Sequence, residues 1–102
     1  MTERSPAAVL DALASHTHLR GYLYRGRLET MPAKRARRVQ LLGEVAQAFE
    51  PGIRYPEAAV NAVLGAIGPD FATLRRYLVD EEFLDRADGQ YWRAGGPVET
   101  PA

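Results

Sequence analysis

The chain contains no cysteine, which excludes disulfide bonds, thiolate metal sites and cysteine nucleophiles. It also lacks an apolar run near the ~20 residues that cross a bilayer, and its N-terminus does not show the basic-then-apolar pattern of a signal peptide. We therefore expect a soluble, cytoplasmic protein without a membrane partner. His16 and His18 are the two histidines. Because zinc takes three or four ligands, we expect no bound metal.

The sequence has none of the short motifs that mark common enzymes. A glycine-rich phosphate loop, a paired-histidine helix motif and a nucleophile elbow are all missing. Glu57 and Asn61 stand four residues apart and would share a helix face, but helix capping and surface hydrogen bonding account for such a pair. We therefore expect neither an enzyme nor a bound cofactor.

An excess of charge of one sign is also missing, since 13 basic residues balance 13 acidic ones. DNA-binding domains are often basic overall, so the distribution of charge matters more here than the total. Residues 20–38 carry seven basic side chains and one acidic one, whereas residues 80–88 carry five acids and one arginine. This pattern predicts a polarised molecule that is basic early in the chain and acidic late.

A chain of 102 residues has the length of one domain. Ser5 followed by Pro6 is typical of a helix N-terminus, and we predict a helix that runs to about Ser15. Residues 1–18 are assigned to an N-terminal helix or arm, which either packs on the domain or dimerises. Residues 19–93 form the main domain, and the Gly- and Pro-rich residues 94–102 are predicted to be a flexible tail.

The first part of the main domain has weaker signals. From Leu19 to Tyr24 the pattern indicates one or two further helical turns, ended by Gly26. Residues 27–31 alternate polar and apolar side chains, which favours an extended connector or a short edge strand.

Three amphipathic helices are predicted next, over 32–49, 56–67 and 70–80. Their predicted core residues are Val39, Leu42, Val45, Ala46, Phe49, Val60, Val63, Leu64, Ile67, Phe71, Leu74 and Leu78. Asp70 is the expected N-cap of the third helix. In that helix Arg75 lies at the edge of the core face, where it should pair with an acid or cap carbonyl groups of another element, and Arg76 points outward.

Two short strands, 83–86 and 90–93, are predicted around a turn at 87–89, because Asp-Gly between aromatic flanks is a strong hairpin signal. Tyr55 is expected to add a third strand. The order helix, break, helix, hairpin predicts a mostly α fold with a small β-hairpin (α+β), organised as a winged helix-turn-helix-like single domain.

Several dispersed motifs between residues 19 and 93 resemble a bacterial family known as domain of unknown function 2087. The matching motifs include Gly26-Arg27-Leu28, Met31-Pro32-Ala33-Lys34-Arg35, Tyr55-Pro56-Glu57, Leu74-Arg75-Arg76 and Tyr91-Trp92. The resemblance implies a small domain that is found alone or joined to winged-helix transcription regulators of the arsenic-repressor type. It implies no established activity and no catalytic residue.

The leading functional hypothesis is a nucleic-acid-binding or transcription-regulating module whose partner is duplex DNA. The third helix would enter the major groove with Thr73 and Arg76 towards the bases, and Gln90 and Arg93 would lie near the wing. The phosphate-binding candidates share a helix N-terminus and are Lys34, Arg35, Arg37 and Arg38.

Each of these candidates also has a structural interpretation. Arg76 equally fits a solvent-exposed pair with Asp80, and the four basic residues point around their helix in different directions. Asp85 and Asp88 would place negative charge on a wing that should approach phosphates.

The alternative hypothesis is a winged-helix-like protein-interaction or sensory module without DNA-binding activity. Its aromatic wing and acidic rim would bind a partner protein, or its N-terminal helix would form a homodimer. Whether Arg76 and the basic cluster share a face discriminates between the two hypotheses.

Overall fold

A computed structural model describes residues 3–97 of the chain. The elements, in chain order, are α1 (Pro6–Ser15), a 3₁₀ turn (Arg20–Tyr22), β1 (Leu23–Tyr24), β2 (Arg27–Leu28), α2 (Arg35–Ala46), β3 (Arg54–Pro56), α3 (Glu57–Ile67), α4 (Phe71–Asp80), β4 (Leu84–Ala87) and β5 (Gln90–Arg93). Strands β3, β5 and β4 form an antiparallel sheet in that order. The succession from α2 to β5 is that of a winged helix-turn-helix, so the predicted fold class is confirmed.

The N-terminal helix begins where the sequence predicts. The Ser5 hydroxyl accepts a hydrogen bond from the Ala8 N–H at 3.1 Å, which satisfies one of the free donors of the first turn. Val9 and Leu13 are fully buried in the common hydrophobic core, where α1 packs on α2 and α3. The apolar face of α1 is therefore covered within one chain.

The segment after α1 differs from the prediction. One further helical turn is confirmed, as the 3₁₀ turn over Arg20–Tyr22, but the longer alternative that extends to Tyr24 is wrong, because the chain then forms the β1–β2 hairpin. Arg25 and Gly26 both have positive φ, 52° and 77°, as a two-residue hairpin turn requires. The reversal pairs Leu23 with Leu28, and it brings Leu28 into the core. Of the predicted extended segment 27–31, Arg27–Leu28 forms a strand, and the rest is neither helix nor strand.

Helix α2 is shorter than predicted at both ends. The stretch from Pro32 to Lys34 is not helical, and the last predicted turn, 47–49, donates its three N–H groups to carbonyls three residues back. This tighter hydrogen bonding is typical of a helix C-terminus. Val39, which was predicted to lie in the core, is only half-buried, whereas Leu41, which was not predicted, is fully buried.

Helices α3 and α4 follow their predicted bounds closely. The Asp70 carboxylate accepts a hydrogen bond from the Thr73 N–H at 3.2 Å and caps α4. Leu74 and Leu78 are buried, but the predicted burial of Phe71 is wrong, since this side chain is 38% exposed. Phe71 is the first residue of α4, and its ring lies beside Gly65 at the edge of α3 instead of between the helices.

The wing is the β4–β5 hairpin, which the Asp88-Gly89 turn closes with φ values of 54° and 75°. β4 starts one residue later than predicted. Tyr55 pairs with Tyr91 across β3 and β5, so the predicted third strand is confirmed. Because side chains alternate along a strand, Tyr91 faces the helices and Trp92 faces the outer side of the sheet.

The chain stays attached to the wing beyond β5. The N–H groups of Ala94 and Gly96 donate to the carbonyls of Phe83 and Glu82, each at 2.9 Å. The rest of the tail predicted to be flexible, 98–102, lies outside the described residues. Within 3–97, none of the helices has the length and apolar character needed to cross a membrane.

Two glycines near the α3–α4 turn give a matched test of how β2 packs against that turn. A Cβ at Gly68 would lie 2.5 Å from the carbonyl oxygen of Leu28, whereas a Cβ at Gly65 would meet only a Phe71 ring atom at 3.9 Å. We expect Gly68→Ala to destabilise the fold by about 1 to 3 kcal/mol, because β2 must move. Gly65→Ala, inside α3, should stabilise it by about 0.5 to 1 kcal/mol. Urea unfolding of both variants measures the difference, and equal stabilities would show that β2 does not lie against the turn.

Candidate nucleic-acid interface

Helix α4 packs one face on the core and exposes the other. The exposed face carries Ala72, Thr73, Arg76 and Asp80. The Arg76 side chain is 84% exposed, and its Nε lies 3.8 Å from Asp80 Oδ2. Exposed pairs of this kind contribute less than about 1 kcal/mol, so the guanidinium can turn to another partner. Thr73 and Arg76 therefore both lie on the outward face on which the sequence predicts them.

A cleft of about 350 Å³ separates α4 from the wing, and we call it the wing cleft. Its lining residues are Ala72, Arg75, Arg76, Val79, Asp80, Arg86 and Tyr91. Three guanidinium groups and one carboxylate line this space. The Glu57 carboxylate lies 4.0 Å from Arg75 Nε and offsets part of this charge, so the cleft keeps a small excess of positive charge.

A polar network holds the α3 side of the wing cleft. The Tyr91 hydroxyl donates to Glu57 Oε1 at 2.8 Å, and Arg75 Nε lies 4.0 Å from the same oxygen. Arg75 Nη1 also donates to Asn61 Oδ1. The prediction that Arg75 pairs with an acid of another element is confirmed. The Glu57 and Asn61 pair has a tertiary role that its spacing alone did not indicate.

Arg86 is a cleft residue that the sequence reasoning missed. It stands opposite Tyr91 in the β4–β5 ladder, and its guanidinium carbon lies 5.6 Å from the centre of the Tyr91 ring. Across residues 3–97, Arg86 forms no salt bridge. The ring attracts the guanidinium through its π face, and the N–H donors at the guanidinium edge stay available for an anion.

The predicted basic cluster does not act as one surface. Arg35 donates to both oxygens of Glu81, at 2.7 and 3.1 Å, and the Arg38 guanidinium lies 5.3 Å from the centre of the Tyr77 ring. These two arginines therefore lie beside α4, on the flank opposite the wing cleft. Arg37 instead donates to the His18 carbonyl at 3.1 Å, away from α4. Lys34 is exposed at the N-cap of α2.

The two wing candidates lie away from Arg76. Gln90 has the same strand parity as Trp92 and therefore faces the outer side of the sheet. Arg93 donates to the Phe49 carbonyl at 3.3 Å and lines a different cavity with Phe83. The structure thus brings Arg76 together with Arg75 and Arg86 in the wing cleft, and not with Gln90 or Arg93. Thr73 shares the outward face of α4 with Arg76 but does not line the cleft.

Residues 27–93 match a family model, domain of unknown function 2087, described as an uncharacterized protein conserved in bacteria. The chain belongs to this family. The match confirms the resemblance seen in the dispersed motifs, and it spans the winged helix and every arginine of the wing cleft. No curated protein and no solved structure matched the chain. The geometry described above therefore has to carry the functional argument.

The buried hydroxyl of the network gives a prediction of pH dependence. Burial raises the pKa of Tyr91 above its ordinary value of 10.0, and its hydrogen bond to Glu57 raises this pKa further. The folded pKa is thus higher than the unfolded one, so the stabilisation is complete below about pH 10 and is lost as the pH rises through the folded pKa.

We expect the wild-type free energy of unfolding to fall more steeply above about pH 10 than that of Tyr91→Phe. Urea unfolding across this range measures both slopes, and the remaining tyrosines, present in both proteins, serve as the internal control. Identical slopes would show that Tyr91 ionises as it does in the unfolded chain.

Proposed function

We propose that this domain binds duplex DNA through α4 and acts in transcription regulation. The observation that carries the proposal is the position of α4 in the winged helix. It is the second helix of the helix-turn-helix, and it presents Thr73 and Arg76 on an exposed face. The major groove of B-DNA is about 12 Å wide and admits such a helix. Arg76 then donates to a guanine edge, and Thr73 contacts a neighbouring base or phosphate.

The arginines beside α4 support this orientation. Arg75 and Arg86 lie on the flank towards the wing, and Arg35 and Arg38 lie on the flank towards α2. A helix in the major groove has a phosphate backbone on each side, so both flanks meet negative charge. Lys34 is the single lysine among the 13 basic residues. Arginine binds two phosphate oxygens at once, which a lysine ammonium does not do.

The strand register answers one objection to a wing that approaches DNA. Asp85 pairs with Trp92, and Arg86 pairs with Tyr91. Since neighbouring residues of a strand point to opposite faces, Asp85 faces the outer side of the sheet while Arg86 faces the wing cleft. The acid nearest to Arg86 in sequence therefore does not share its surface.

The outer face of the sheet favours a second candidate function, protein interaction. The Arg54 guanidinium carbon lies 4.2 Å from the centre of the Trp92 ring, and Asp85 pairs with Trp92 from the other side. Tryptophan and arginine are the residues most enriched at the centres of protein interfaces. In this function Trp92 contacts the partner, and α4 stays in solvent.

Fluorescence anisotropy with a labelled duplex tests the proposed function. If α4 and its flanks contact about six phosphates, the affinity should fall roughly a thousandfold between 50 and 200 mM salt. The alternative predicts no salt-dependent affinity for duplex DNA. A protein that stays free of DNA at the lower salt concentration is not the DNA-binding domain proposed here.

A further inference from the structure

We infer that the wing cleft is a binding site for a phosphate group, supplied either by a DNA backbone or by a free phosphorylated small molecule. The inference deepens the proposed function, because a DNA phosphate reaches the cleft only if the domain binds DNA as proposed. The cleft itself, about 350 Å³, falls within the range of about 300 to 1,000 Å³ that is usual for ligand pockets. It therefore has room for more than a bare phosphate.

The positive charge of the residues that line the cleft favours an anionic ligand. Three arginines and one aspartate line the cleft, with Arg75, Arg76 and Asp80 on α4 and Arg86 on the wing. A phosphate monoester carries about −1.5 to −2 charges at pH 7, and a phosphodiester of a DNA backbone carries one. The excess of positive charge attracts both anions. The planar guanidinium fork also matches two oxygens of a phosphate group.

The three arginines differ in how firmly they are held. Arg75, with a side chain 22% exposed, is fixed by Asn61 and lies close to Glu57. Arg86 is steadied by the Tyr91 ring and has no carboxylate partner within the described part of the chain. Arg76 is loosely paired with Asp80, since both side chains are mostly exposed. An anion in the cleft thus meets two positioned guanidiniums and recruits a third.

Tyr91 joins the cleft to the core. The residue is 1% exposed, and its hydroxyl donates to Glu57 Oε1 at 2.8 Å. Glu57 is not among the residues that line the cleft. The acid that orients Arg75 therefore does not fill the space in which the phosphate binds.

Amide chemical-shift mapping with inorganic pyrophosphate tests the site without DNA. We expect the shifted amides to belong to the residues that line the cleft, with the largest changes at 75, 76 and 86. Arg86→Gln should weaken pyrophosphate binding by about tenfold, because a charge-assisted hydrogen bond is lost. Arg54→Gln is the matched control, since Arg54 also stacks on an aromatic ring of β5 but on the opposite face of the sheet.

A second arm uses the labelled duplex and separates the two phosphate sources. If pyrophosphate shifts the cleft amides but the protein does not bind the duplex, the site takes a small phosphorylated ligand and the proposed DNA binding is wrong. The DNA source is supported if pyrophosphate displaces the duplex and if the affinity of the protein for the duplex falls in Arg86→Gln but not in Arg54→Gln. The proposed site is wrong if pyrophosphate does not shift the cleft amides, or if Arg86→Gln and Arg54→Gln lose the same affinity for pyrophosphate.

Discussion

Replacing Leu78 by alanine should lower the free energy of unfolding by about 2 to 5 kcal/mol, because the fully buried side chain leaves a cavity between α4 and the core. Phe71→Ala, in the same helix, should cost only about 1 to 2 kcal/mol, since Phe71 is 38% exposed. The two residues belong to the same apolar stripe of the sequence, so the pair separates the observed packing from the pattern. Urea unfolding at one pH measures both losses.

A larger loss in Phe71→Ala than in Leu78→Ala would contradict this packing. It would mean that the first turn of α4 anchors the helix and that its outward face is rotated. Thr73 and Arg76 would then no longer share the exposed surface on which the proposed function depends.

Arg76→Ala should weaken binding to duplex DNA by about tenfold or more, because the variant loses one bidentate contact to a base edge or phosphate. Arg37→Ala removes the same charge from α2, so it controls for the change in net charge. Arg37 donates to the His18 carbonyl and lies away from α4, and its loss should change the affinity about twofold.

Anisotropy titrations of the two variants, at one salt concentration, give the comparison. Circular dichroism checks that both remain folded, which we expect because Arg76 is exposed and its pair with Asp80 is weak. Equal affinities of the two variants would show that Arg76 makes no specific contact.

The parts of the fold that were predicted correctly have local signals. Ser5 and Asp70 cap their helices with their own side chains, and Asp88-Gly89 supplies the positive φ values of the wing turn. The β1–β2 hairpin has no such signal, because its turn places a positive φ on Arg25, a residue type that rarely adopts it. The exposure of Phe71 depends on how α3 and α4 cross, which the helical pattern does not determine.

The candidate site was also predicted only where its residues have a local signal in the sequence. Placing α4 residues every 100° is enough to find Thr73 and Arg76. Arg86 lies in a run of acidic residues, and only its pairing with Tyr91 across the two-residue turn places it beside α4. The predicted three-residue turn would instead have placed Arg86 opposite Gln90. A shift of one residue in a strand moves a side chain to the other face of the sheet. The same register separates Gln90 from α4.

The basic cluster shows the limit of a charge run as a predictor. Lys34, Arg35, Arg37 and Arg38 are neighbours in sequence, but a helix turns successive side chains by about 100°. Arg35 and Arg38 reach the flank of α4, where Glu81 and Tyr77 hold them, while Arg37 reaches His18. Only the tertiary partners show which basic residues share a face with Arg76.

Amide chemical-shift mapping with an unlabelled duplex at low salt tests most directly the claim that α4 is the DNA-contacting helix. We expect the shifted amides to cluster on 70–80 and on 86–91, and those of α1 to stay in place. Shifts that cluster on the outer sheet face around Trp92, or a spectrum that DNA leaves unchanged, would contradict it.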